Sequence, residues 1–115
     1  MLIIPLMNQL PIIITGIHID LTEAIHNIVH EKMAKLFQHN TRILQIRVEL
    51  TQDSNKLDHK TFMAQGIVKL PGPNLIVTTD SDDLYRAIDD LELQLLRKLR
   101  QRARMARSKR KQPAY

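Results

Sequence analysis

The segment Leu84–Leu99, LYRAIDDLELQLLRKL, predicts the main helix of the fold because its apolar residues recur at the spacing of one helix face. A stripe with this period packs one side of an amphipathic helix against a core. Asp80 or Ser81 is expected to cap the start of the helix. The helix is expected to run from near Asp83 to about Ala106. The stripe consists of Leu84, Ile88, Leu91, Leu95 and Leu99.

Four segments upstream have the composition or the alternation of β-strands. The clearest is ILQIRVELT, in which apolar and polar residues alternate as they do in a sheet with one wet face. The turn residues PGPN (71–74) favour a hairpin between the last two segments. The segments are residues 11–16, 43–51, 61–70 and 75–80, and the expected buried side of the second is Leu44, Ile46, Val48 and Leu50.

A first helix is predicted between the first two strands, with Thr22 as its N-cap. The element order is therefore β-α-β-β-β-α. Two amphipathic helices and one-sided strands bury their apolar faces only if both helices pack on the same side of one sheet. The predicted fold is α+β, a four-stranded sheet with two helices on one face. The apolar face of the first helix is Ile25, Ile28, Val29, Met33 and Leu36.

The positive charge of the chain is concentrated at one end of the sequence. The chain has 115 residues and a net charge of +5, and residues 97–111 contain nine Lys or Arg and no acid. Such asymmetry suggests a polyanionic partner, either nucleic acid or an anionic membrane. The run lacks an aromatic or leucine face, which disfavours the membrane. A solvated tail favoured by the helix dipole is the simplest alternative.

The length is that of one domain, with no cysteine and hence no disulfide framework. We expect residues 1–10 to form an N-terminal extension, residues 11–106 the domain and residues 107–115 a basic tail. The apolar start is interrupted by polar residues and prolines and lacks a basic flank, so we expect neither a signal peptide nor a membrane span. The expected location is the cytoplasm.

Catalytic and metal chemistry find little support in the sequence. His26 and His30 stand four residues apart on a helix, a spacing that can place two imidazoles on one ion, but no third ligand is evident. The three glycines form no phosphate loop, and the aspartates near residue 83 suit helix capping. Aromatic residues are sparse, and Tyr85 is expected in the core. We predict no enzyme, cofactor, metal or small-molecule substrate, and phosphate contact rather than base stacking on the sheet.

Four motifs, in this order, resemble the ribosome hibernation promoting factor family, also called the ribosome-associated inhibitor or sigma-54 modulation protein family. The segment LIVTTDSDDLYRAID (75–89) resembles the approach to the family signature DMYAAID, with Leu84 in place of Met. The others are ITGIHIDLTEAI (14–25), KMAKLFQH (32–39) and KLPG (69–72), which resemble the opening strand and helix, the helix end and a hairpin. The resemblance covers roughly residues 11–109.

The resemblance implies the β-α-β-β-β-α fold, in the layout of double-stranded RNA-binding domains. It further implies binding in the decoding channel of the small ribosomal subunit, where the protein overlaps the messenger RNA and tRNA sites. Translation would stop during stress or stationary phase. The implied partners are the small subunit and its ribosomal RNA, with a ribosome modulation factor as a further candidate. We also expect a short form, without the ribosome-dimerising domain of the long members.

The resemblance assigns RNA contact to basic residues of both helices, with Lys32, Lys35 and Arg97 at matching positions. The basic residues farther along the second helix are expected to extend this surface, and Arg86 to add to it near the helix start. The expected RNA-binding residues are Lys32, Lys35, Arg86, Arg97, Lys98, Arg100, Arg102, Arg104 and Arg107. Two other hypotheses stay open, a free-standing double-stranded RNA-binding module and a regulator whose basic tail binds an acidic protein.

Overall fold

Four strands form the expected single sheet, in the order β1-β2-β3-β4. The structure is a computed structural model that describes residues 10–40, 42–53 and 61–111, with side chains through residue 106. The predicted extension and tail lie largely outside those residues. The strands are β1 (Ile12–Ile17), β2 (Gln45–Gln52), β3 (Phe62–Lys69) and β4 (Leu75–Ser81), and the helices are α1 (Glu23–His39) and α2 (Leu84–Lys111). This order confirms the predicted α+β fold.

The first two strands run parallel and the other pairs antiparallel. Helix α1 makes the crossover that a parallel pair requires, and its predicted N-cap is confirmed because the Thr22 hydroxyl accepts a hydrogen bond from the Ile25 amide at 3.2 Å. Both helices cover the same face of the sheet, with α2 on β3 and β4 and α1 beside it on β1. The predicted stripe of α2 is buried in full: Leu84, Ile88, Leu91, Leu95 and Leu99.

Helix α2 lies close to the sheet at Gly66 of β3. A β-carbon there would stand 2.9 Å from Leu95 Cδ1 and 3.1 Å from Leu91 Cδ1, so only glycine leaves room for both leucines. Near the start of the helix the Thr79 hydroxyl donates to the Ala87 carbonyl oxygen at 2.7 Å. These contacts fix the height and the direction of α2 above β3 and β4.

The far end of α2 reaches beyond the sheet. Ala87 lies over Thr79, Leu95 over Gly66, and Arg102 beside Pro73 in the turn between β3 and β4, so the helix runs the whole length of this hairpin. It then continues through Lys111, past the expected end near Ala106. At 1.5 Å per residue, the part after Arg102 is roughly 13 Å long.

Three local predictions were wrong. The side chain that caps α2 is Asp83, whose carboxylate accepts from the Tyr85 amide at 3.0 Å, because β4 extends through Ser81 and delays the helix. Tyr85 is 47% exposed rather than in the core, because Leu84 and Ala87 occupy the buried side of the first turn. Leu44 is 60% exposed and Ile43 is buried, because regular β2 pairing starts at Gln45 and the alternation does not extend back past it.

We expect Gly66→Val to lower the free energy of unfolding by about 1–3 kcal/mol, since it forces methyl groups into the space of two buried leucines. Thermal or urea denaturation measures the effect. Gln65→Val is the control, because Gln65 is the neighbour of Gly66 and its side chain lies on the sheet face without helices. This substitution should change the free energy of unfolding by less than about 0.5 kcal/mol. Equal stability of Gly66→Val and wild type would show that α2 is not seated on β3 as described.

Candidate nucleic-acid interface

Three arginines form a continuous row on the outer side of α2, which we call the outer stripe: Arg97, Arg100 and Arg104. Their spacing of three and four residues places them on one helix face, opposite the buried side that Leu95 and Leu99 occupy. All three are exposed, and they line a shallow depression together with Ala103. The small side chain between them leaves the guanidinium groups open to a common ligand.

A second basic side of α2 borders a groove between this helix and the β3–β4 turn, which we call the turn groove. Its cations are Lys98, which is exposed, and Arg102, which is half-buried. Arg102 Nη1 donates a hydrogen bond to the Pro73 carbonyl oxygen and thereby ties the helix to the turn. The groove is lined by Pro71, Pro73, Leu75, Lys98, Gln101, Arg102, Met105 and Ala106.

Lys32 lies between the two helices rather than in either basic surface of α2. Its ammonium nitrogen is 2.6 Å from an Asp89 carboxylate oxygen and 4.0 Å from one of Glu92. The hydrogen bond to Asp89 raises the pKa of Lys32, with Glu92 adding to the effect. The charge of Lys32 is therefore balanced within the domain, and its observed contacts join α1 to α2.

The remaining predicted residues are spread over the helices. Lys35 is exposed on α1, one turn beyond Lys32. Arg86 is exposed on the same side of α2 as the outer stripe, but lies roughly 16 Å before Arg97 along the helix axis. The side chain of Arg107 lies outside the described residues. The structure thus brings together the outer stripe, sets Lys98 and Arg102 beside it, and leaves Lys32 and Arg86 apart.

Acidic residues cluster near the start of α2, where Arg86 is the one basic residue before Arg97, and basic residues dominate its far end. Asp82, Asp83, Asp89 and Asp90 all lie in or just before its first two turns. No acidic residue occurs between Arg97 and Lys111. A polyanion is therefore repelled from the start of the helix and attracted to its far end, where guanidinium groups pair well with phosphate oxygens.

The histidine pair of α1 does not extend into a larger ligand set. The rings of His26 and His30 stack with centroids 6.2 Å apart, and burial, followed by the charge of His26, lowers the pKa of His30. Within residues 10–40, 42–53 and 61–111, no three His, Cys, Asp or Glu side chains come together as metal ligands. In the same part of the chain no helix has the length and apolarity to cross a membrane.

The turn groove is not evident from the sequence. Its apolar lining comes from the PGPN turn and from Met105, which interrupts a run of cations. Met105 follows Lys98 by seven residues and Gln101 by four, so the sequence places these three residues on one side of the helix. Only the packed structure shows that the β3–β4 turn lies opposite that side.

Comparison with known proteins gives relatives along most of the chain. The chain is 30% identical over 100 residues to a ribosome hibernation promoting factor of Acinetobacter guillouiae, and the match covers 82% of this chain and 88% of that protein. It is 34% identical over 86 residues to the protein of the same name from Escherichia coli, covering 75% of this chain and 85% of the relative.

Two solved structures share the fold. One is a ribosomal subunit interface protein from Coxiella burnetii, with a TM-score of 0.69 and 23% identity, covering 80% of this chain and 96% of that one. The other is the N-terminal domain of Thermus thermophilus Protein Y, with a TM-score of 0.65, 28% identity and the same two coverages. The first supports the fold alone, and the second adds sequence similarity.

The sequence model of one family matches residues 12–107, nearly the whole described domain. Its description names a modulation protein and a ribosomal protein, not an enzyme, in agreement with the expectation that the chain is non-catalytic. With relatives at 30% identity or more over most of their length, the chain belongs to the Sigma 54 modulation protein / S30EA ribosomal protein family.

Proposed function

We propose that the protein is a ribosome hibernation factor that binds the small ribosomal subunit in its decoding channel and inhibits translation during stress or stationary phase. It acts by occupying the messenger RNA and tRNA sites, without catalysis. The names of its relatives support the role in hibernation. The observation that carries the RNA contact is the outer stripe, three exposed arginines on one face of a helix whose earlier turns are buried in the core.

A folded helix is suited to this contact because it holds its charges at fixed spacings. Arg97 and Arg104 are about 10 Å apart along the axis, so the outer stripe meets successive phosphates without ordering a flexible segment first. Arginine adds paired N–H donors that match phosphate oxygens. Such contacts position the protein on RNA through its backbone and shape rather than through base sequence.

The acidic start of α2 orients the protein on the ribosome. The aspartates Asp82, Asp83 and Asp90 face a phosphate-rich surface unfavourably, whereas the far end of α2 attracts it. We therefore infer that the protein enters the channel with the far end of α2 leading along the RNA. A protein with this role is located in the cytoplasm, in association with ribosomes.

Replacing the outer stripe with Arg97→Gln, Arg100→Gln and Arg104→Gln should release the protein from small subunits without unfolding it. Each lost phosphate contact lowers the salt dependence of binding, so the slope of log affinity against log salt should fall by about two to three units. Co-sedimentation with purified small subunits over a salt series measures both effects, and circular dichroism checks the fold.

The matched control is Arg42→Gln, Arg47→Gln and Lys69→Gln, which removes the same charge from exposed residues outside both helices. It should retain most of the affinity and the slope. Equal loss in both triple variants would mean that net charge rather than the outer stripe drives binding. Tight binding to a plain RNA duplex without preference for ribosomes would support a free-standing double-stranded RNA-binding module instead.

Lys32→Met should lower the free energy of unfolding by about 0.2–1 kcal/mol, a range typical of partly exposed ion pairs. Because the pKa of Lys32 is raised in the folded state, its contribution is complete below the ordinary lysine value of 10.5 and is lost as the pH rises above it. Urea denaturation at pH 7 and pH 11 measures this: the difference between wild type and variant should shrink at the higher pH.

Lys32→Met also separates a structural role of Lys32 from RNA contact, because the Lys32 ammonium group is paired with Asp89 and Glu92. We expect the salt slope of small-subunit binding to stay close to that of wild type. A slope reduced by about one unit would instead show that Lys32 leaves the ion pair and contacts a phosphate.

A further inference from the structure

The turn groove combines an apolar lining with cations, which the outer stripe does not. Met105 is 57% exposed, although it faces two prolines and Leu75 across the groove. Lys98 and Arg102 stand on the helix side of the same groove. An apolar surface left open between fixed walls favours a ligand with an apolar face, and the two cations require that the ligand also carries negative charge.

We propose that the turn groove receives one unstacked nucleobase of an RNA strand, while Lys98 and Arg102 bind the phosphates on either side of it. The inference rests on the proposed ribosome binding and adds a second contact of a different kind. Phosphates alone are met by the outer stripe, whereas the turn groove takes a base that has left its stack.

The walls of the groove are fixed before any ligand arrives. Arg102 holds the turn through the Pro73 carbonyl oxygen, which uses one of its five N–H donors and leaves the rest for phosphate. Each proline fixes its own φ angle, and the helix side is held by the buried Leu99. A preformed site avoids the entropic cost of ordering its walls.

Gln101 supplies the polar group that a base edge requires. It lies on the helix between Lys98 and Met105 and lines the same groove. Its amide offers donors and an acceptor, the set that pairs with the edge of a base such as adenine. The backbone of an acidic protein segment would also pair with this amide, so the amide does not by itself select a nucleotide. The nucleotide is favoured because the outer stripe, on the neighbouring side of the same helix, is already proposed to lie on RNA.

The test uses two RNA hairpins with equal numbers of phosphates. One carries a single bulged adenosine, and the other an abasic residue at the same position. Wild type should bind the adenosine hairpin about threefold or more tightly by fluorescence anisotropy, because burying one face of a base against apolar side chains contributes this order of free energy.

The methyl group of Met105 reports the contact directly. In a ¹³C-methyl-methionine spectrum its signal should move upfield on addition of the adenosine hairpin, since a base ring lies over it, and should stay nearly still with the abasic one. The buried Met33 serves as the internal reference.

Met105→Gln keeps helix propensity and charge and should abolish the preference for the bulged base. Leu93→Gln is its match, an exposed apolar residue of the same helix outside the groove, and should preserve the preference. Lys98→Gln should weaken binding to both hairpins and reduce the salt slope.

Equal affinity of wild type for the two hairpins, or a Met105 signal unmoved by either, overturns the proposal. So does a larger Met105 shift with a peptide of alternating Glu and Leu, which would assign the groove to an acidic protein segment. Failure of the base site is distinguishable from failure of the ribosome role. If Met105→Gln and wild type both co-sediment with small subunits while wild type binds the two hairpins equally, only the base site is wrong.

Discussion

The leucine stripe of α2 packs on β3 and β4 at the height that Gly66 allows, and the position of the basic surfaces depends on this contact. Leu91 and Leu95 occupy the space where a β-carbon of residue 66 would stand. Thr79 anchors the first turn of the helix, and Arg102 holds it beside the β3–β4 turn. A rigid helix fixed at these points carries its far end, and hence the outer stripe, at a set direction from the domain.

The division of α2 into a buried half and an exposed half explains its charge pattern. Asp82 and Asp83, just before the first turn, suit the positive end of the helix dipole, and Asp89 and Asp90 in the second turn flank the apolar stripe. Between Arg100 and Ala106 no side chain of α2 is buried, so the apolar period is no longer required, and seven of the twelve residues from Arg100 to Lys111 are cations. One helix thereby serves both folding and recognition, with the boundary set by the length of the β3–β4 hairpin.

Most of the fold was predictable because local patterns encode it. The order of elements, the stripe of α2 and the Thr22 cap follow from periodicity and from side-chain hydrogen bonding over a few residues. The features that the sequence did not predict depend on tertiary context. The exposure of Leu44 depends on where β2 pairing begins, and the ion pair of Lys32 depends on how α1 lies beside α2. The periodicity of one element carries no information about either feature. The turn groove likewise forms only because α2 and the β3–β4 turn, which are distant in sequence, come into contact.

Hydrogen–deuterium exchange of the protein, free and bound to small ribosomal subunits, tests most directly whether the far end of α2 is the RNA contact. In the free protein the amides of residues 103–106 should exchange faster than those of Ile88–Leu99, because these residues are exposed and lie outside the hydrophobic core. On the ribosome, residues 97–111 should show the largest gain in protection. Protection confined to β1 and the helix-free face of the sheet, with residues 97–111 unchanged, would contradict the account.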